Sequence, residues 1–93
     1  MVRQYGGRME AAANTFGAGV VLLTRPQCHL CEDARRVVDR VTGDLGLTWR
    51  EVSVAEVPSL GERFAEELPV LFIDGVQRDF WSIDEGRLRR LLA

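Results

Sequence analysis

The sequence predicts an α/β domain of three layers, a four-stranded mixed sheet with helices on both faces, in the order βαβ-α-ββα. Three observations carry that expectation. Apolar runs of strand length alternate with stretches of helical periodicity. The first two strand-like runs, residues 20–24 and 47–54, are joined by a helical pattern, which makes them a parallel pair with a right-handed crossover. The last two, 68–73 and 76–80, flank Asp74-Gly75, and an Asp-Gly pair between strand-like runs is a strong hairpin signal, which makes them antiparallel.

Taken in order, residues 1–19 hold four of the nine glycines, the run Ala11-Ala12-Ala13 and no sustained periodicity. They read as a mobile N-terminal extension with a turn of helix around residues 9–14, and the folded domain is expected over 20–93. Val20-Val21-Leu22-Leu23-Thr24 is apolar without alternation, as in a central strand covered on both faces. From residue 29 to about 42, Leu30, Ala34, Val37, Val38 and Val41 recur at helical spacing, with charged residues on the other side. Asp33 and Arg40 suit the two ends of the helix dipole, and Gly43 offers a stop. Residues 47–54 are β-branched and aromatic, including Trp49. A short helix is expected over 58–66, with Pro58 at its start and Leu60 and Phe64 one turn apart, although Gly61 interrupts it. The last helix starts from Ser82-Ile83-Asp84-Glu85, which has the form of a capping box, and carries the stripe Leu88, Leu91, Leu92.

With 93 residues the chain has room for one domain. A net charge of −2, with every basic residue an arginine, provides no basic field, and nucleic acid is not an expected partner. The apolar runs are too short to span a bilayer and the N-terminus lacks the apolar segment of a signal peptide. A cytoplasmic monomer without membrane contact is therefore expected. In that compartment a Cys-x-x-Cys pair is more often catalytic or metal-binding than a structural crosslink.

The chemistry concentrates in Arg25-Pro26-Gln27-Cys28-His29-Leu30-Cys31, which holds both cysteines and the single histidine between a strand and a helix. A thiol at the first turn of a helix meets unpaired backbone N–H groups and the positive end of the dipole, both of which favour the thiolate. Cys31, three residues on, shares the helical face of Cys28 and is placed to attack a mixed disulfide formed there. Cys28 is thus the expected nucleophile and Cys31 the resolving thiol.

With these residues in view, the chain resembles the thioredoxin-fold proteins and, among them, is similar to the small glutaredoxin-like proteins. The resemblance spans about residues 20–93. It rests on the strand ending at Thr24-Arg25, on Cys28-His29-Leu30-Cys31 opening a helix, on Leu68-Pro69-Val70 and on the Asp74-Gly75 hairpin. It implies thiol–disulfide exchange through Cys28 and Cys31, with no tightly bound cofactor and with an external thiol reductant, either glutathione or its equivalent or a thioredoxin-reductase-type system. The expected partner is a disulfide-containing protein or a small-molecule thiol. Pro69 takes the place of the family's cis-proline beside the dithiol. Arg25 stands where glutaredoxins often carry a lysine that favours the thiolate and contacts glutathione. Leu68, Pro69 and Trp81 complete the expected substrate-binding set. Two stretches depart from the family pattern: Glu67-Leu68-Pro69 replaces Thr-Val-Pro, and Trp81-Ser82 replaces a Gly-Gly pair, so that a bulky ring would obstruct close approach of a ligand backbone. Where thioredoxins bury an acidic residue about six positions before the first cysteine, this chain has Leu22.

Each of these residues also has a plainer reading. The alternative reading is a non-catalytic binding module in which the cysteines hold a metal or iron–sulfur cluster, or an inert pair, although a crosslink over one helical turn removes little chain entropy. A zinc site within one chain wants four ligands, and Cys28, Cys31 and His29 fall short of that set, so no metal residues are assigned. His29, when protonated, would favour the Cys28 thiolate; otherwise it is a solvated residue at a helix start. Arg25 is either an electrostatic partner of that thiolate or a loop-surface charge. Trp81 is a platform at the rim of the site or an aromatic closing the last strand.

Overall fold

A computed structural model of the chain describes residues 16–93. The turn of helix expected around residues 9–14, with most of the expected extension, lies outside the described residues. The elements are β1 (Val20–Thr24), α1 (His29–Asp44), β2 (Trp49–Ser53), α2 (Pro58–Arg63), β3 (Val70–Ile73), β4 (Val76–Phe80) and α3 (Glu85–Leu92). They form one mixed sheet in the order β2-β1-β3-β4. β1 runs parallel to β2 and antiparallel to β3, and β3 pairs antiparallel with β4.

Every residue of β1 is buried, because both faces of the sheet are covered. Successive side chains of a strand point to opposite faces. Val21 and Leu23 accordingly join Leu60, Phe64, Val70 and Phe72 on the α2 face, while Val20 and Leu22 join Ala34, Val38, Leu71 and Leu88 on the face of α1 and α3. Each fully buried leucine here contributes about 2 kcal/mol through removal of apolar area from water. Phe16 belongs to the α2-side cluster: it is 3% exposed and its ring stacks on Phe72 at 3.7 Å. The packed residues therefore begin at least at Phe16.

The ends of the helices are where local chemistry departs from expectation. α1 runs past Gly43 to Asp44, and the stop is Gly46, whose φ of 71° is free of cost only for glycine. Gly46 N–H donates to the Gly43 carbonyl at 3.2 Å and Leu47 N–H to the Thr42 carbonyl at 2.8 Å, the paired bonds that close a helix through a left-handed residue. The acidic residue of its first turn is Glu32 rather than Asp33, and Arg40 lies before the last turn, which holds no basic residue. α3 starts one cap later than the Ser82 box: Asp84 is the N-cap and accepts from Arg87 N–H at 3.0 Å. β2 begins at Trp49, two residues after the expected start, and α2 ends at Arg63, three before the expected end, followed by turns. Gly61 within α2 is explained by contact, since a Cβ there would meet Val54 Cβ at 3.3 Å. β3 starts at Val70, just after Pro69. Asp74 and Gly75, at φ 53° and 82°, form the two-residue turn that the Asp-Gly pair predicts.

Candidate active site

The site hangs on the end of β1. Pro26 ends the strand, Gln27 takes φ 54°, and Cys28 follows with extended backbone (φ −131°, ψ 112°) as the N-cap of α1. A positive φ at a non-glycine residue is uncommon, and here it falls immediately before the first thiol. The Cys28 sulfur accepts the Cys31 N–H at 3.2 Å, replacing the oxygen that usually caps a helix. One of the orphan donors of α1 is thereby aimed at the sulfur.

Both cysteines are free thiols and differ in reach. Cys28 is 7% exposed and Cys31 is fully buried. Burial pushes the Cys31 thiol up to about 11, and its neighbour Cys28 adds to the effect, while the Arg25 backbone and the Arg35 guanidinium pull the other way. At neutral pH Cys31 is therefore held as the protonated thiol.

In front of Cys28 lies a shallow pocket of about 160 Å³, lined by Gln27, Cys28, His29 and Glu32. The structure thus brings Cys28 and His29 together on one surface, with His29 exposed. Arg25 is exposed on the same loop and is not part of that lining. Leu68 is 7% exposed and packs in the α2-side cluster, and Pro69 is fully buried. The Leu68-Pro69 peptide is cis. Trp81 sits at φ 64°, is 53% exposed and is tied to this corner: its backbone N–H donates to the Pro69 carbonyl at 2.8 Å and its indole N–H to the Glu66 carbonyl at 2.6 Å. Its ring meets Phe80 edge to face at 5.0 Å. Trp81 therefore occupies, with a side chain, a backbone conformation that glycine adopts without strain.

Beyond the residues expected from the sequence, Gln27 and Glu32 line the pocket, and Thr24 and Arg35 both donate hydrogen bonds to Glu51 next to the thiols. Glu32 is four positions after Cys28, and that spacing was a usable signal. Glu51 comes from β2, and only the register that pairs Leu22 with Glu51 brings it here. Among the described residues no group of three His, Cys, Asp or Glu side chains is placed to hold a metal ion.

Two free thiols in a Cys-x-x-Cys at the start of the first helix of a mixed β2-β1-β3-β4 sheet covered by helices define a protein of the thioredoxin-like fold. Residues 19–93 match the family described as Glutaredoxin-like domain (DUF836), and the chain belongs to that family. An uncharacterized protein of Mycobacterium tuberculosis is 32% identical over 79 residues, covering 80% of this chain and 81% of the relative. A structural-genomics target protein from X. campestris superimposes in its solution structure with a TM-score of 0.64 at 27% identity, covering 80% of this chain and 91% of the other. A thioredoxin mutant from Halobacterium salinarum gives a TM-score of 0.53 at 26% identity, covering 88% and 79%. No helix among the described residues is long and apolar enough to cross a membrane.

Proposed function

We propose that this protein is a thiol–disulfide oxidoreductase working through Cys28 and Cys31. The observation that carries the reading is the N-cap sulfur of Cys28, 3.2 Å from the Cys31 amide and at the wall of an open pocket, with a second buried thiol one helical turn behind it. The Cys28 thiolate attacks a substrate disulfide and releases one thiol, leaving a mixed disulfide. Cys31 gives up its proton and attacks the Cys28 sulfur, the second substrate thiol departs, and the Cys28–Cys31 disulfide awaits an external thiol reductant. His29, at the same pocket, favours the thiolate when protonated, and Arg25 adds positive charge on the loop. The corner of Leu68, Pro69 and Trp81 is the docking edge for the substrate in this reading: neither backbone group of Leu68 has a backbone partner among the described residues. The substrate is a disulfide-containing protein or small-molecule disulfide, and the reducing cytosol is the compartment in which such a pair would cycle.

The test is the fraction of Cys28–Cys31 disulfide, read by alkylation and intact mass across buffers of graded redox potential. A reversible two-electron midpoint between roughly −300 and −120 mV, the span of dithiol oxidoreductases, supports the reading. A pair that never closes reversibly, or closes only after iron is stripped from the purified protein, refutes it in favour of a cluster-binding module.

A further inference from the structure

Behind Cys31 lies a charged network that bridges three elements. Arg35 is four residues after Cys31 on α1, hence on the same helical face. Its Nε and Nη2 donate to Glu51 of β2 at 2.8–3.0 Å, with both side chains about one-third exposed at 37% and 32%. Thr24, the last residue of β1 and 1% exposed, donates its hydroxyl to the same carboxylate at 2.6 Å. Glu51 is held below its ordinary value, chiefly by the Arg35 hydrogen bond and also by Thr24, and Arg35 is raised in turn. The guanidinium is therefore clamped as a cation rather than left to wander in solvent. The clamp thereby fixes a cation one helical turn from Cys31, where it works against the burial that raises that thiol. Glu51 and Glu32 face Arg35 and offset part of its field.

We propose that Arg35, fixed by Glu51 and Thr24, is a positioning residue for the second half of the exchange, holding a cation where it stabilises the Cys31 thiolate as the mixed disulfide is resolved. This rests on the dithiol reading. In that step the Cys31 S–H proton leaves to solvent, the thiolate forms the S–S bond to Cys28, and the bond from Cys28 to the substrate sulfur breaks, its electron pair leaving with the substrate thiolate. No external oxidant or reductant is needed. Glu51 sets the strength of the effect, because its carboxylate both anchors the guanidinium and opposes its charge.

The experiment is equimolar reaction of the reduced protein with dithionitrobenzoate, an aromatic disulfide, followed by stopped-flow release of the coloured thiolate across pH. The first equivalent reports Cys28 and the second reports Cys31. Arg35→Met should move the pH profile of the second phase up by about half a unit, slowing it about threefold at neutral pH. Arg35→Lys should return part of the loss. Glu51→Gln keeps an acceptor for Arg35 while removing the opposing charge, and should move the same profile down. The first phase should stay in place in all three. Shifts of opposite sign are not produced by loosening the clamp alone, so equal-sign shifts, or no shift, overturn the proposal. Should Arg35→Met fail to fold, Arg35→Gln takes its place: an upward shift of the second phase supports the proposal and any other result overturns it. A wild-type protein that releases no second equivalent refutes the dithiol reading instead, and the proposal with it.

Discussion

Replacing Cys28 separates the cap that its sulfur provides from the nucleophilic role proposed for it. As N-cap it accepts the Cys31 N–H at 3.2 Å, and it is 7% exposed. Cys28→Ala removes the cap and leaves a small void, a loss of about 1 kcal/mol. Cys28→Ser keeps an acceptor at the same place, and serine is among the preferred capping residues, so its stability should stay within about 0.5 kcal/mol of the reduced parent. For a domain of this size about 1 kcal/mol corresponds to roughly 4–8 °C in melting temperature, so the two variants should be resolved by calorimetry under reducing conditions. Neither should catalyse reduction of a disulfide peptide by dithiothreitol. A serine variant that melts as low as the alanine one would show that the sulfur does not cap α1. Retained turnover in either variant would refute Cys28 as the attacking thiol.

Two further outcomes follow from the same geometry. Trp81→Gly removes a bulky residue from φ 64°, relieving about 1 kcal/mol of backbone strain while losing the indole bond to the Glu66 carbonyl, worth about the same, so stability should change little. Turnover with glutathione mixed disulfides should rise through a lower KM; steady-state assays that find KM unchanged or higher would show that the ring does not block that ligand. The second outcome concerns pH. Cys31, raised to about 11 in the folded state, binds its proton more tightly there than in the unfolded chain, so its contribution is full below the unfolded value of about 9 and is lost as pH rises toward 11. Urea midpoints of the reduced protein should therefore fall between pH 8 and about 10.5, and the fall should be smaller in Cys31→Ala.

The legibility of the chain follows the range of the interactions involved. β1, α1 and the β3–β4 hairpin were readable because their signals are local: an unbroken apolar run, a helical stripe and Asp74-Gly75. The two thiols were readable for the same reason, since Cys28 and Cys31 owe their places to a strand end and a helix start. Helix ends were less so, because Gly43 and Gly46 are equally good stops by composition and only the carbonyls of Thr42 and Gly43 choose between them. Ser82 lost the cap to Asp84, whose N–H is itself held by the Asp79 carboxylate at 3.1 Å, a contact that depends on how β4 enters the turn. Glu51 could not be found at all without the parallel register of β1 and β2. The departure at Trp81 was visible as a residue change, but its left-handed backbone was not, because nothing local demands it. The burial of Phe16 has no local signal, because its stacking partner, Phe72, is far away in sequence.

The burial of β1 has a consequence for how the site moves. This strand has a neighbour on each side and all five of its residues are buried, so its amides belong among the last to exchange with solvent, and freeing it requires opening the whole sheet. The thiol loop is thus fastened at its lower end to the least yielding part of the molecule. Local fluctuation is left to the exposed residues around Cys28, namely Arg25, Gln27 and His29, while the sulfur's base stays still. In the proposed exchange, geometric adjustment would then fall to the incoming disulfide rather than to the protein.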